Sequence, residues 1–233
     1  QCDLVMISYY IGSVESGIYS MSHTVGFMGY NVMGQIMAAW SPWVYRRLEK
    51  HEYKNIHQNF SLMVVLGLYT SIGLMTISPE LIRVFLTDEY LPCIYIIPPI
   101  VVAMFFQYVY GFLYDLEYYY KKTRYIASAS ATAAILNLIL NFLFIPRYGY
   151  LVAAYTTLIS YLALFIMNYI FAKKLHVKEV YNTCCIIWCV IGIVIYMGIM
   201  FVLIDLILWR YIVLVIITIL LVCLVYNKAI AFL

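Results

Sequence analysis

Apolar residues dominate the chain from Cys93 to Tyr226, and short polar segments interrupt them about every 20–30 residues. Each apolar stretch is close to the ~20 residues that an α-helix needs to cross the hydrocarbon core of a bilayer. Two similar stretches precede Cys93. The pattern predicts seven transmembrane helices, over residues 18–43, 60–77, 93–113, 126–145, 150–171, 184–204 and 211–226.

The composition indicates that lipid is the solvent for most of these side chains. Apolar residues make up 66% of the 233 positions, charged residues make up 11%, and the mean hydropathy is +0.92. A β-barrel would need segments that alternate between apolar and polar residues, and runs such as 186–195 do not alternate. We therefore predict an all-α, polytopic helical membrane protein.

The first residues do not fit a complete transmembrane helix. Residues 1–11 are apolar but too few to span a bilayer, and a turn-like segment follows at 12–17. We expect residues 1–11 to be the end of a truncated transmembrane helix. The six cysteines lie mostly in or beside apolar runs, without the spacing of a metal site or a disulfide framework, and we interpret them as small hydrophobic residues.

The basic residues alternate between the two sides of the predicted bundle. Eleven of the fourteen Lys and Arg residues lie in the gaps 44–59, 114–125 and 172–183 and in the tail 227–233. The other gaps contain only Arg83, Arg147 and Arg210. The positive-inside rule therefore places the first set of gaps, and the C-terminus, in the cytoplasm. The net charge of +3 gives no reason to expect a nucleic-acid partner.

Two predicted helices carry polar stripes. Residues on one face of the helix over 18–43 include Ser20, His23, Asn31 and Gln35. Polar side chains in lipid are costly unless they face other helices or a water-filled cavity, so this stripe fits either interhelical hydrogen bonds or a cavity wall. His23 fits either a neutral packed side chain or a group that titrates during transport.

The second stripe follows the helix over 126–145. Ser130, Ala133, Ala134, Asn137 and Asn141 share one face, and small residues with two asparagines favour close packing against a neighbouring helix. We expect Pro146 to end this helix.

Charges and catalytic side chains are rare within the apolar stretches. Glu80 and Arg83 are three residues apart, and we expect them to pair on a helix. The sequence contains no nucleophile–base pair, metal-ligand cluster or phosphate-binding loop, and no large extramembrane segment to hold a soluble active site. We therefore predict that the protein is not an enzyme and has no catalytic residues, metal or cofactor.

Three segments resemble a known family. The stretch 137–161 is similar to the signature N-L-x-L-N-x-x-x-I-P-x-x-G-x-x-G-A-A-x-x-T-x-x-S-Y of the polysaccharide-export flippases, with Val152 where the family usually has glycine. The stretch 3–20 resembles the family pattern D-x-x-x-I-x-x-x-x-G-x-x-x-x-G-I-Y-S, and Pro42 with Tyr45 gives a third match. These proteins belong to the multidrug/oligosaccharidyl-lipid/polysaccharide exporter superfamily.

The resemblance implies an architecture and a function. It implies one helical lobe of a two-lobe flippase over 12–172, with two additional C-terminal transmembrane helices over 173–233. By resemblance, the protein moves a polyprenyl-pyrophosphate-linked oligosaccharide across the bacterial cytoplasmic membrane, for O-antigen or capsule biosynthesis, by alternating access. Membrane lipids surround it, and a proton or a sodium ion is the expected coupling ion.

The resemblance also suggests site residues. The candidates for the substrate cavity are Ser20, His23, Asn31, Gln35, Asn137 and Asn141. Arg46, Arg47 and Arg124 are candidate cations at the cytoplasmic mouth, although the positive-inside rule alone also explains their charge. Two other functions remain open. One is a multidrug or organic-cation antiporter of the same superfamily, and the other is a membrane-embedded polysaccharide polymerase or ligase.

Overall fold

The computed structural model of this chain describes residues 2–175 and 180–230, with side chains as far as residue 221. These residues form eight α-helices without any strand among them, which confirms the all-α class. A 3-10 turn, Asp88–Tyr90, joins the third helix to the fourth. The helices are α1 (Cys2–Tyr10), α2 (Ser13–Glu49), α3 (Tyr53–Phe85), α4 (Cys93–Tyr119), α5 (Thr123–Tyr148), α6 (Val152–Lys173), α7 (Thr183–Leu203) and α8 (Ile207–Ile230).

Five helices, α3 to α7, are long and apolar enough to cross a membrane, and the polytopic prediction is therefore confirmed. The 37-residue α2 is longer than any of them, but its polar stripe keeps its apolar content below theirs. In α8 the apolar part with described side chains is shorter, at Ile207–Leu221. The spans predicted over 18–43 and 211–226 therefore remain predictions.

Helix α4 is the centre of the bundle. It contacts α2, α3, α5, α6 and α7, and 83% of its most apolar 18-residue window is buried inside the protein. Aromatic rings fill the contacts, with Phe112 packed edge-on against Phe60 of α3 at 5.1 Å between ring centroids. Gly67 allows α3 to approach closely, because a Cβ at this position would collide with the ring of Tyr108. A helix that is apolar all round belongs at such a central position.

Helix α5 has the opposite character. Only 22% of its most apolar window is buried, and large side chains such as Ile135 and Phe142 are 57% and 58% exposed. Exposed apolar surface of this extent matches a helix whose outer face contacts lipid. Its other face packs on α6 and, over a shorter length, on α1.

The C-terminal helices attach to the bundle mainly through α3. Helix α7 packs on α3 and α4, and α8 packs on α3 and α7. The expected Glu80–Arg83 pair is wrong, because both side chains reach across to other segments. Glu80 pairs with Arg210 of α8, and Arg83 pairs with Asp205 at 3.1 Å. Opposite charges brought by a neighbouring helix compete with the local i, i+3 partner.

The end of α5 also differs from the expectation. The helix continues two residues beyond Pro146 and stops at Tyr148. The ring of Pro146 removes one backbone donor and leaves a carbonyl of the preceding turn without its intrahelical partner, and the helix ends within one turn of it. Gly149 then turns the chain with φ +82° and donates its N–H to the carbonyl of Ile145 at 3.0 Å.

Part of the charge pattern lies outside the described structure. Lys178, and the tail predicted to be cytoplasmic beyond residue 230, fall outside the described residues, and so does Gln1 of the expected truncated helix.

Candidate functional site

A polar cavity of about 240 Å³ lies between α1, α2, α5 and α6. Most of its lining side chains carry hydroxyl, amide, imidazole or carboxylate groups, which is unusual inside an apolar bundle. The lining residues are Asp3, His23, Ser130, Ala133, Ala134, Asn137, Thr157, Ser160, Tyr161 and Leu164.

Asp3 is the acidic member of this lining, and it is 8% exposed. Its carboxylate accepts hydrogen bonds from the Thr157 hydroxyl at 3.0 Å, the Tyr19 hydroxyl at 3.1 Å and the Asn141 amide at 3.3 Å. These donors come from α6, α2 and α5, so one carboxylate of α1 connects four helices. All three donors are neutral. They stabilise the carboxylate by hydrogen bonding, and among the described residues no side chain forms a salt bridge with it.

A second layer of polar contacts holds Asn141 in place. Its amide group also donates to the side-chain oxygen of Asn137 at 3.1 Å, and its own oxygen contacts the hydroxyl of Thr156. One turn further along α6, the Ser160 hydroxyl donates to the carbonyl of Thr156 at 2.7 Å. Fully satisfied networks of this kind fix side-chain positions in a low-dielectric interior.

The predicted stripe of α2 divides between two environments. His23 lines the cavity and stacks on the ring of Phe27 at 5.8 Å, and Ser20 is partly buried nearby on the same helix. Asn31 and Gln35 lie two to three turns further along and are exposed on the surface of the described bundle. Within the described residues they form no hydrogen bond to another helix. Interhelical hydrogen bonding inside this chain therefore does not explain their presence.

The predicted stripe of α5 also serves two roles. Ser130, Ala133, Ala134 and Asn137 line the cavity, whereas Asn141 is fully buried and bonds to α1 and α6. Asn141 thus makes the kind of packing contact that its sequence pattern favoured, and Asn137 both lines the cavity and supports Asn141.

The three candidate mouth cations lie at the opposite end of α2 and at the start of α5. Arg46 and Arg124 are exposed, while Arg47 pairs with Glu52 and lies 5.6 Å from the ring of Trp43. Hydrogen bonds from Asn55 and Arg47 lower the pKa of Glu52 below its usual value. Arg47 is therefore engaged locally, whereas Arg46 and Arg124 are exposed to solvent, and Arg46 donates its Nε–H to the Pro42 carbonyl at 3.2 Å.

The sequence pattern missed part of this site. The predicted site residues do not include Asp3, Tyr19, Thr156 or Thr157. All four nevertheless lie inside the two segments that resemble the flippase patterns, 3–20 and 137–161. Family patterning was the only sequence signal that pointed to them, because 138 residues or more separate Asp3 from Asn141 and Thr157.

Comparisons of the chain with protein-family models, with curated proteins and with solved structures give no match. The resemblance to polysaccharide-export flippases consequently remains a prediction from the sequence segments. The residues of the described chain contain no group of three or more His, Cys, Asp or Glu side chains that could hold a metal ion.

Proposed function

We propose that this chain forms one lobe of a flippase that moves a polyprenyl-pyrophosphate-linked oligosaccharide across the bacterial cytoplasmic membrane by alternating access. In this proposal α1 to α6 belong to the lobe, and α7 and α8 are the two additional helices. A sugar chain with a pyrophosphate loses its hydration in bare lipid at a cost of many kcal/mol, so a polar path through protein is required.

The observation that carries the proposal is the convergence of the two resembling segments. The motif residues Asp3, Tyr19, Asn141 and Thr157 meet in one hydrogen-bonded network, although they come from four different helices. Each of these four residues occupies a position that the two family patterns specify. A network that borders a cavity is typical of a transport path or an ion site in membrane proteins.

The exposed part of the α2 stripe supports a second lobe. Asn31 and Gln35 would be costly on a surface that contacts lipid. A water-filled cavity between two lobes removes that cost, and we propose that this face of α2 lines it.

Asp3 supplies a place for the coupling ion. Among the described residues its carboxylate has neutral hydrogen-bond partners, and the hydroxyl oxygens of Tyr19 and Thr157 lie beside it. Oxygen ligands of this type suit a hard cation such as sodium, and an uncompensated carboxylate equally suits a proton. Binding of either ion in one lobe orientation would couple its gradient to transport.

A multidrug or organic-cation antiporter is the second candidate, and Asp3 is the observation that favours it. A buried carboxylate beside the ring of Tyr161 is a plausible pair of groups for a lipophilic cation. The two candidates differ in their cargo, so transport assays separate them directly.

The decisive experiment is complementation of a bacterial strain whose own flippase gene has been deleted. We expect the product of the complete gene that encodes this chain, with both lobes present, to restore surface polysaccharide, measured by glycan immunoblotting, without changing resistance to ethidium. Ethidium resistance without restored polysaccharide would favour the antiporter. Failure to restore polysaccharide or to confer ethidium resistance in every glycan background tested would contradict the proposed flippase function.

The proposed orientation has its own test. The basic gaps lie in the cytoplasm by the positive-inside rule, so a cysteine at Lys54 should be shielded from a membrane-impermeant thiol reagent in intact cells. A cysteine at Asp88, in the exposed turn before α4, should be labelled. Both variants need a background in which the native cysteines are replaced. The reverse labelling pattern would invert the topology.

A further inference from the structure

A row of tyrosines occupies the end of the bundle where α2 and α4 finish. Tyr114 and Tyr118 of α4 stack with centroids 5.9 Å apart and planes 15° from parallel. Tyr118 in turn stacks on Tyr45 of α2 at 6.4 Å, and Tyr45 stacks on Tyr119 at 6.1 Å. The rings therefore form a continuous stacked platform across two helices, which we name the tyrosine platform (Tyr45, Tyr114, Tyr118 and Tyr119).

A buried carboxylate holds the platform in position. Asp115 is 3% exposed and accepts hydrogen bonds from the Tyr45 hydroxyl at 3.0 Å and the Ser41 hydroxyl at 2.8 Å. The Tyr45 ring is thereby fixed relative to α4. A tyrosine that anchors a protein at the lipid interface uses its hydroxyl to reach the headgroups, and the hydroxyl of Tyr45 is directed inward instead.

The platform borders an open pocket of about 440 Å³. Beyond the rings of Tyr45, Tyr118 and Tyr119, the pocket is lined by Glu49, Lys121 and Thr123. It thus combines flat aromatic faces with one carboxylate, one ammonium and one hydroxyl group. Aromatic faces stack on the apolar side of a sugar ring, while carboxylate and hydroxyl groups bond its hydroxyls.

Exposed basic side chains surround this pocket. Lys122 and Arg124 follow Lys121 in the turn that starts α5, and Arg46 and Lys50 flank Tyr45 and Glu49 on α2; all four are exposed. Cations beside a glycan-sized pocket match a ligand in which a pyrophosphate is joined to a sugar.

We infer that the tyrosine platform and its pocket form the first binding site for the glycan of a pyrophosphate-linked sugar at the basic end of the bundle. The first sugar stacks on Tyr118, its hydroxyls bond Glu49 and Thr123, and the pyrophosphate lies among the exposed cations. This inference rests on the proposed function and names where that substrate is first recognised.

The test is a binding measurement on the purified protein in phosphatidylcholine nanodiscs, with a panel of farnesyl-pyrophosphoryl monosaccharides as probes. Replacing Tyr118, which is 52% exposed, by alanine should weaken binding about tenfold, whereas Tyr118→Phe should bind like the wild type because the ring remains. Tyr148→Ala is the matched control, since this tyrosine is 68% exposed and also contacts a neighbouring ring but lies at the other end of α5.

Farnesyl pyrophosphate, which has no sugar, distinguishes recognition of the glycan from recognition of the pyrophosphate. Its affinity should be the same for the wild type and Tyr118→Ala. An equal loss for both probes would overturn the inference, because the platform would then recognise the anionic headgroup. Unchanged sugar-probe binding in Tyr118→Ala, or no binding of any probe by the wild type, would also overturn it. Translocation is measured separately, so a protein that binds the probes but fails to restore polysaccharide refutes the proposed function and retains this site.

Discussion

Two buried charged groups in this bundle have opposite surroundings. Asp3 accepts hydrogen bonds from three neutral side chains and lines a cavity. Arg210 is fully buried, donates to the Thr76 carbonyl at 3.0 Å, and pairs with the carboxylate of Glu80. Both groups connect helices that are distant in sequence, but among the described residues Arg210 forms a salt bridge and Asp3 does not.

This difference distinguishes a candidate ion-binding site, at Asp3, from a structural ion pair, at Arg210. The charge-compensated Glu80–Arg210 pair holds α8 against α3 and leaves no net charge to attract another ion. A carboxylate with neutral partners beside a cavity retains its attraction for a cation and has space to receive one. Neutral partners together with an adjoining cavity, rather than burial alone, therefore distinguish Asp3 as the candidate ion-binding group.

The largest expected effect follows from removing the charge of Asp3. Asp3→Asn keeps the size and the hydrogen-bonding capacity of the side chain but not its charge, so we expect transport to fall at least about tenfold at near-normal membrane abundance. Surface-glycan immunoblotting and quantification of the protein in membranes measure the two quantities. Asp205→Asn is the control, because this carboxylate is exposed in its pair with Arg83. Full transport by Asp3→Asn would show that the charge of Asp3 has no role in transport.

The second expected effect concerns stability. Arg210→Met leaves Glu80 without its partner, and since the Glu80 side chain is 26% exposed we expect a loss of about 2 kcal/mol, less than for a fully enclosed pair. The Tm in detergent should fall by several degrees, while transport per folded molecule stays unchanged.

The double variant Glu80→Gln/Arg210→Met should recover part of that Tm, because no unpaired charge remains. If Arg210→Met kept its Tm and lost transport, the structural role of the Glu80–Arg210 pair would be contradicted.

A smaller effect is expected on the exposed part of the α2 stripe. Asn31→Leu and Gln35→Leu should reduce transport several-fold and leave the Tm unchanged, because neither side chain bonds to another helix within the described structure. Val32→Leu, at a position 57% exposed on the same helix, is the matched control. A lower Tm with normal transport per molecule would assign the stripe to packing.

The smallest effect is expected at an exposed ion pair. Glu52→Gln removes the partner of Arg47 at the turn between α2 and α3, and we expect no measurable change in Tm at neutral pH. The pKa of Glu52 is lowered in the folded protein, so any stability from this pair is present above the pKa of the unfolded side chain. It is lost as the pH falls through the lower folded pKa. A large Tm difference at neutral pH would show that the pair does more than join neighbouring turns.

The tyrosines at 118–120 show how much of a residue's environment the local sequence can indicate. Tyrosines directly before a basic residue such as Lys121 are typical of the membrane interface, and Tyr118 is half exposed. Stacking on Tyr45 could not be inferred, because helical periodicity gives the face of α4 on which a ring lies but not the helix that it meets.

The sequence by itself determined that the helices of this protein lie in lipid, and it determined the secondary structure. Long apolar runs with rare charges leave lipid as the environment, and lipid permits only structures that satisfy their own backbone hydrogen bonds. The helices α3 to α7 were therefore predictable, α5 to α7 within three residues at each end, whereas α3 and α4 extend further than their apolar runs. The tertiary structure alone decided which polar groups meet. Glu80 had a local partner available in Arg83 and took Arg210 instead, 130 residues away. Asp3 found its partners across three helices. Periodicity fixes the direction of each side chain around its own helix axis, whereas the rotation and neighbours of each helix depend on the packing of the whole bundle.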